Sequence, residues 1–388
     1  MRLFFFIMGY NSDYFSGVFK KTYAQVSFLN QLGLSTEIIM IGSNQIQYPH
    51  HKFLKIIEIN NPRSPNLIYR FNFYLKIRRI FSNIISSLGT DDVLYCRTSF
   101  LLSIMYPKEY LRYFRKCKIV TEYNTIEINE YLLNKSYLNA ILEFLFGRII
   151  KNHSDAIVGV TNEITQYQLH HSASTLKPNI TIGNGISVNS CIIRDCPAFD
   201  GNTINLLCLA NFSRWHGYDR LLYGLSNYHG PVNIIIYFSG DGVELPNIKK
   251  LVETLKLEKK VIFTGFKSGI DLDNLFNNCH IAVGSLALHR IGLNEASILK
   301  AREYCARGIP FVYGAKDPDF PLHFPYILNI PANENPVEFE DIINFVQTVC
   351  SNPGHPKIMR EYALKYLDWS IKMKKLKFFL EQCFNKDL

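Results

Sequence analysis

The sequence predicts an α/β protein built from two parallel-sheet domains in tandem. Three observations predict it. At 388 residues the chain is longer than one hydrophobic core usually serves, since single cores stop growing at around 250–300 residues. Short continuous apolar runs alternate with stretches of helical spacing, which is how strands covered on both faces by crossover helices read. The alternation breaks once, in ITIGNGISVNSCIIRDCPAFDGN, and begins again at Ile204.

The elements follow in order. Leu3–Met8 is apolar throughout and reads as a first buried strand leading into the loop Gly9–Ser16. Val18–Leu32 has helical spacing until Gly33 stops it, and Glu37–Ile41 is the next strand. Val93–Cys96, Ile119–Glu122 and Ala156–Val160 are further strands, with a helix over Asn134–Ile150. After the break come strand Ile204–Leu209, a glycine-containing loop and helix Tyr218–Ser226. Val232–Phe238 runs into SGDG, and Val261–Phe263, Ile281–Ser285 and Phe311–Tyr313 complete the second set of strands. A helix from Leu299 to Ala306 is ended by Gly308 and Pro310. The expected domains are 1–190 and 197–360, with 361–388 packing back toward the first.

Composition excludes several classes. With 47% hydrophobic and 19% charged residues the chain is not disordered. Nine cysteines without a CxxC pair point to reduced thiols, not a zinc ribbon or disulfide framework, and hence to a cytoplasmic protein. The apolar start is too short for a signal peptide, and no run approaches the ~18–20 residues that span a bilayer. The loop GYNSDYFSG lacks the G-x-G-x-x-G dinucleotide pattern, and there is no P-loop. Charge is uneven: residues 1–190 hold 20 Lys/Arg against 12 Asp/Glu, whereas residues 191–388 hold 22 against 21. No nucleic-acid recognition motif accompanies the excess, so no nucleic acid partner is expected. Two aromatic and basic segments, Tyr69–Phe81 and Tyr106–Lys116, suit instead an anionic membrane surface, which predicts a peripheral protein of the inner membrane face.

Chemistry collects in GSLALHRIGLNEASILKAREYCARGIPFVYG, residues 284–314. Glu295 lies in a loop that feeds a helix, and Glu303 lies on the helix. A helix N-terminus has unpaired N–H groups that favour an anion such as a diphosphate, and a carboxylate on each side can hold sugar hydroxyls.

The spacing Glu295, Glu303, Ala306, Gly308, Pro310 resembles the E-x7-E motif of retaining GT-B glycosyltransferases of family 4, the group 1 transferases. A second match is ANFSRWHGYDR, where that family has G-R-x-x-x-x-K-G-x-D. Asn211 stands in the Arg place and His216 in the Lys place, while Gly217 and Asp219 are kept. Weaker matches are GNGI at 183–186, the turn around Gly240, the strand end at Gly265 and the Trp369-Ser370 pair.

The resemblance implies a GT-B fold, two Rossmann-like domains facing across a cleft. It implies a retaining transferase that takes a sugar from a nucleotide-sugar donor, with no cofactor and no metal. Lipid-linked oligosaccharide or surface polysaccharide acceptors are implied, as in lipopolysaccharide or capsule biosynthesis. Glu295, Glu122 and His216 take catalytic places. Glu303, Arg214, Lys300, Asn211, Gly240 and Gly265 take donor-binding places, with Arg214 and Lys300 replacing the lost cations. Gly17 and Lys20, beside Lys21, belong to the acceptor side. The altered Asn211/His216 pair leaves open an accessory subunit without turnover, and the fold also serves sugar-nucleotide epimerases.

Overall fold

The structure is a computed structural model, and it describes residues 1–8, 17–43, 52–59, 67–97, 100–106 and 115–384. It divides into two compact units, Met1–Gly183 with Trp369–Leu388, and Asn184–Asp368.

The first unit carries a seven-stranded sheet, ordered β3-β2-β1-β4-β5-β6-β7. Its strands are β1 Arg2–Met8, β2 Thr36–Ser43, β3 Leu54–Ile59, β4 Asp92–Arg97, β5 Lys118–Tyr123, β6 Ala156–Gly159 and β7 Asn179–Thr181. Every pairing is parallel. Helix Leu67–Ser87 shows why one face closes: Phe73, Ile77, Phe81 and Ile84 recur at three- and four-residue spacing and are buried with Phe6, Ile39 and Leu94 of the sheet. Lys76, Arg78 and Arg79 of the same helix are exposed. The aromatic side chains Phe73 and Phe81, expected from the sequence to meet a membrane, are therefore core. Most of the second such segment, 107–114, lies outside the described residues. The last helix, Trp369–Phe384, packs against helix Gly17–Gln31, and Lys377 Nζ donates to the Leu32 carbonyl at 2.8 Å.

The second unit carries a six-stranded parallel sheet, ordered β10-β9-β8-β11-β12-β13. Its strands are β8 Thr203–Asn211, β9 Asn233–Asp241, β10 Val261–Gly265, β11 Ile281–Val283, β12 Phe311–Tyr313 and β13 Ile327–Asn329. Ile204, Leu206, Cys208, Ile234 and Ile236 join Leu221, Leu225 and Ile342 from the covering helices in one core. The chain leaves β8 toward β9 and β10, then returns to β11 on the other side of β8. The crevice outside the strand ends at such a reversal is where open α/β sheets bind ligands. At Gly240 and Gly242 the backbone is left-handed, with φ +130° and +141°. A Cβ on Gly240 would lie 1.9 Å from the Ala210 carbonyl oxygen, so the exit of β9 presses directly on the exit of β8.

Three strands were not foreseen, β3, β7 and β13. They are edge or near-edge strands with half-exposed patterns, so no continuous apolar run marks them. The single helix expected over Asn134–Ile150 is two, Tyr137–Phe146 and Arg148–His153, parted at Gly147.

Candidate functional site

In the second unit the crevice is walled by the loops after β8 and β11. They are stitched together: Leu286 N–H donates to the His216 carbonyl at 2.9 Å, and Ala287 N–H to that of Trp215 at 3.3 Å. Residues Arg214–His216 form a 3-10 turn, whose entry is fixed by Ser213 N–H donating to His216 Nδ1 at 3.0 Å. The His216 ring is buried between Trp215 and Tyr218, with centroids 3.9 and 5.4 Å away. Burial, reinforced by the neighbouring Lys300 charge, holds it well below the ordinary imidazole range. His216 is therefore neutral. It shapes the loop and cannot supply the positive charge that its place in the motif suggested.

The cation packed beside it is Lys300, in the first turn of helix Leu299–Arg307. Its Nζ is buried without a hydrogen-bond partner among the described residues, 6.0 Å from the Trp215 ring and 5.9 Å from that of Tyr218. Burial brings its pKa down from 10.5 to about 7, with only the Cys208 thiol opposing. The helix start has no side-chain cap at Ile298. A helix start without a side-chain cap, and in its first turn an ammonium with no hydrogen-bond partner among the described residues, are both features that favour an anion.

The two glutamates flank this end. Glu295 lies in the extended stretch before the helix, bridged to Lys316, whose Nζ is 4.0 Å from its carboxylate. Glu303 lies on the helix, and Arg307 Nε donates to its Oε1 at 2.9 Å while Arg307 Nη1 reaches Asp273 at 2.6 Å.

Sequence reasoning passed over Arg302. Its guanidinium is wholly buried and donates to both Asp317 oxygens, to Asp319 at 2.6 Å, to Ser297 Oγ at 2.8 Å and to the Asn184 carbonyl at 2.9 Å. It pins the stretch Ser297–Ile298 from which the helix starts. The pair Asp317 and Asp319 around Pro318 was the available signal.

The other expected donor contacts are spread along the same crevice. Asn211 is exposed at the end of β8, in register with Asp241 of β9. Gly240 makes the close approach described above, and the Gly265 carbonyl accepts from Ser239 Oγ at 3.0 Å. Arg214 is exposed, lining a shallow pocket with Asp219 and Glu244. Asp219, kept in the motif, is held by Arg290 at 2.7 and 2.9 Å and is structural.

In the first unit Glu122 is buried near the end of β5, where Lys21 Nζ donates to it at 2.5 Å and to Asn124 Oδ1 at 2.7 Å. Gly17 and Lys20 are exposed at the start of the first helix. The basic side chain turned to the strand ends is Lys21, not Lys20, because the helix carries its neighbour about 100° round to solvent. Burial lowers the Lys21 pKa and the Glu122 charge resists that. Among the described residues no cluster of His, Cys, Asp or Glu is placed to hold a metal ion.

Residues 192–319, about a third of the chain, match the protein family described as Glycosyl transferases group 1. Curated proteins give no significant match. Among solved structures, the chain is similar to sucrose-phosphate synthase from Thermosynechococcus elongatus, at 14% identity and TM-score 0.74 over 99% of both chains. It is also similar to the lipopolysaccharide outer core galactosyltransferase WaaB, at 15% identity and TM-score 0.65 over 97% of this chain and 99% of that one. A third is S. aureus TarM, in complex with fondaparinux, alpha-GlcNAc-glycerol and UDP, at 10% identity and TM-score 0.67 over the whole of both chains. The fold is GT-B, and the stretch that resembles the group 1 glycosyltransferases, residues 192–319, lies within the second unit.

Proposed function

We propose that the protein is a retaining glycosyltransferase that moves a sugar from a nucleoside-diphosphate donor to a hydroxyl of a lipid-linked or polysaccharide acceptor. The observation that carries this reading is the buried, unpartnered Lys300 ammonium at the uncapped start of helix Leu299–Arg307, with Glu295 and Glu303 on either side. The neighbours favour a uridine donor, since TarM and Anabaena HepE are described with UDP or UDP-glucose.

In this reading the diphosphate lies against the helix start and the Lys300 ammonium. These fixed charges stabilise the negative charge that grows on the leaving diphosphate as the bond to the anomeric carbon breaks. Glu295 accepts hydroxyls of the transferred sugar, whose ring gains oxocarbenium character. Glu303 accepts from the ribose with the oxygen that Arg307 leaves open. The acceptor oxygen bonds the anomeric carbon on the face the diphosphate leaves, and its proton passes to the departing phosphate oxygen. Glu122 and Lys21 hold a polar contact on the acceptor side. The altered Asn211 and His216 are then compatible with turnover, because the cation has moved from the loop to the helix.

The test is a transfer and hydrolysis screen with UDP-, GDP-, TDP- and ADP-sugars, with and without lipid-linked acceptors. Turnover of one donor class, lowered by on the order of tenfold to a hundredfold in Glu295→Gln, is expected. Donor binding without transfer or hydrolysis under any condition would instead make the protein a non-catalytic subunit.

A further inference from the structure

Helix Tyr137–Phe146 in the first unit is built inside out. Its sequence, YLNAILEFLF, is strongly apolar, yet Ala140 is its only buried residue. Tyr137, Leu138, Ile141, Phe144 and Leu145 are all exposed, Phe144 at 72% and Leu138 at 69%. At 100° per residue these five positions fall within an arc of about 120°. The less apolar positions Asn139 and Glu143 turn the other way, and Glu143 faces Glu127 and the buried Lys151. Five large apolar side chains on one convex helix form a patch that a folded protein does not leave in water without a use.

We propose that this face inserts into the headgroup layer of an anionic membrane and anchors the first unit there. Charge decides the occupant. Exposed Lys135 and Arg148 bracket the helix at its two ends. Helix Phe100–Met105 packs against both this helix and Leu67–Ser87, so the exposed Lys76, Arg78 and Arg79 of the latter belong to the same helical layer. A second copy of the chain docking here would bring like charges together, whereas an anionic leaflet attracts them. Among the described residues no helix is long and apolar enough to cross a membrane, so the attachment is one of a helix lying in the interface, its side chains entering by ~5–10 Å. The anchor thus differs from the one expected on sequence, whose Phe73 and Phe81 are core. It stands apart from the transfer reaction, since the helix carries none of the residues assigned to donor or acceptor.

The experiment is flotation of the full chain with vesicles of phosphatidylcholine alone or with rising phosphatidylglycerol, at low and high salt. The variants are Leu138→Ser with Phe144→Ser, and separately Lys135→Glu with Arg148→Glu. Binding that grows with phosphatidylglycerol is expected. The apolar pair should weaken it on the order of a hundredfold, one large side chain counting for about tenfold. The charge pair should remove most of the salt sensitivity. All these positions are exposed, so melting temperatures should stay near that of the parent. Absence of binding at every composition, or binding untouched by the apolar pair, overturns the proposal. So does a dimer seen by analytical ultracentrifugation that ignores vesicles and dissociates in the apolar pair, because a second copy then covers the face.

Discussion

Replacing Lys300 by Met keeps the length and shape of the side chain and removes its charge. Two effects of opposite sign follow. In the ligand-free protein the buried ammonium is a burden: holding its pKa at about 7 against an ordinary 10.5 costs the charged form about 5 kcal/mol, at 1.36 kcal/mol per pKa unit. Removing the charge is therefore expected to raise stability by a few kcal/mol, and each one recovered raises the melting temperature by ~2–4 °C in a unit of this size. The gain depends on pH. Between about 7 and 10.5 the unfolded chain carries a proton on Lys300 that the folded chain does not, so parent stability rises with pH across that window. The variant lacks this rise, and the difference between the two is largest at or below pH 7. Donor binding moves the other way. A diphosphate selects the protonated lysine, and a charge-assisted contact of about 1.5–3 kcal/mol corresponds to a ~10–150-fold weaker Kd in the variant. In the parent, Kd should weaken by up to tenfold per pH unit above about 7, until the higher pKa of the complex is reached. Titration calorimetry with UDP at pH 6.5, 7.5 and 8.5, beside thermal melts at the same values, reads both effects. A variant that melts like the parent and binds UDP with the same pH slope would refute the placement of the cation.

Other substitutions test neighbouring parts of the argument. Glu295→Gln should lower kcat by on the order of tenfold to a hundredfold with donor affinity nearly unchanged, in steady-state and binding assays run side by side. Glu303→Gln should instead weaken UDP binding by about tenfold, since one charged acceptor is lost. Arg302→Met strands Asp317 and Asp319 without their cation, and urea titration should show a loss of about 3–5 kcal/mol. Gly240→Ala meets both the left-handed backbone and the Ala210 carbonyl, so a loss of about 2–4 kcal/mol is expected by the same measurement.

What the sequence made legible was whatever depends on local pattern. The helix after Glu295 runs Leu299–Arg307 against an expected Leu299–Ala306, because its glycine and proline stop signals are local. The central strands β1, β4, β5, β8 and β9 stand where continuous apolar runs place them, since both of their faces are covered. The edge strand β3 was missed because its exposed positions interrupt the run. The site is harder to read, because burial is a property of neighbours distant in the chain. In sequence Lys300 and Arg302 are two cations on one charged helix, and nothing local says that one is unpartnered while the other holds three carboxylate oxygens. His216 reads as a cation by its place in the motif, and only Trp215, Tyr218 and Lys300 packed around it make it neutral. Lys20 and Lys21 are adjacent letters that differ by the turn of a helix.

The chain has only two tryptophans, and the fold has put one in each unit. Trp369 opens the last helix of the first unit and is buried, while Trp215 stands beside the Lys300 ammonium with its own Nε1 unpartnered among the described residues. The molecule therefore carries a built-in optical probe of the proposed donor site. Indole emission responds to a nearby charge and to the polarity around the ring, so an arriving diphosphate that draws the ammonium toward itself changes the light from Trp215 and leaves that from Trp369 alone. With Trp369→Phe, the remaining signal belongs to Trp215 at the proposed donor site, and a stopped-flow record of it should time donor arrival without any label. With Trp215→Phe, the surviving signal follows the melting of the first unit by itself, so the two units can be watched coming apart one at a time.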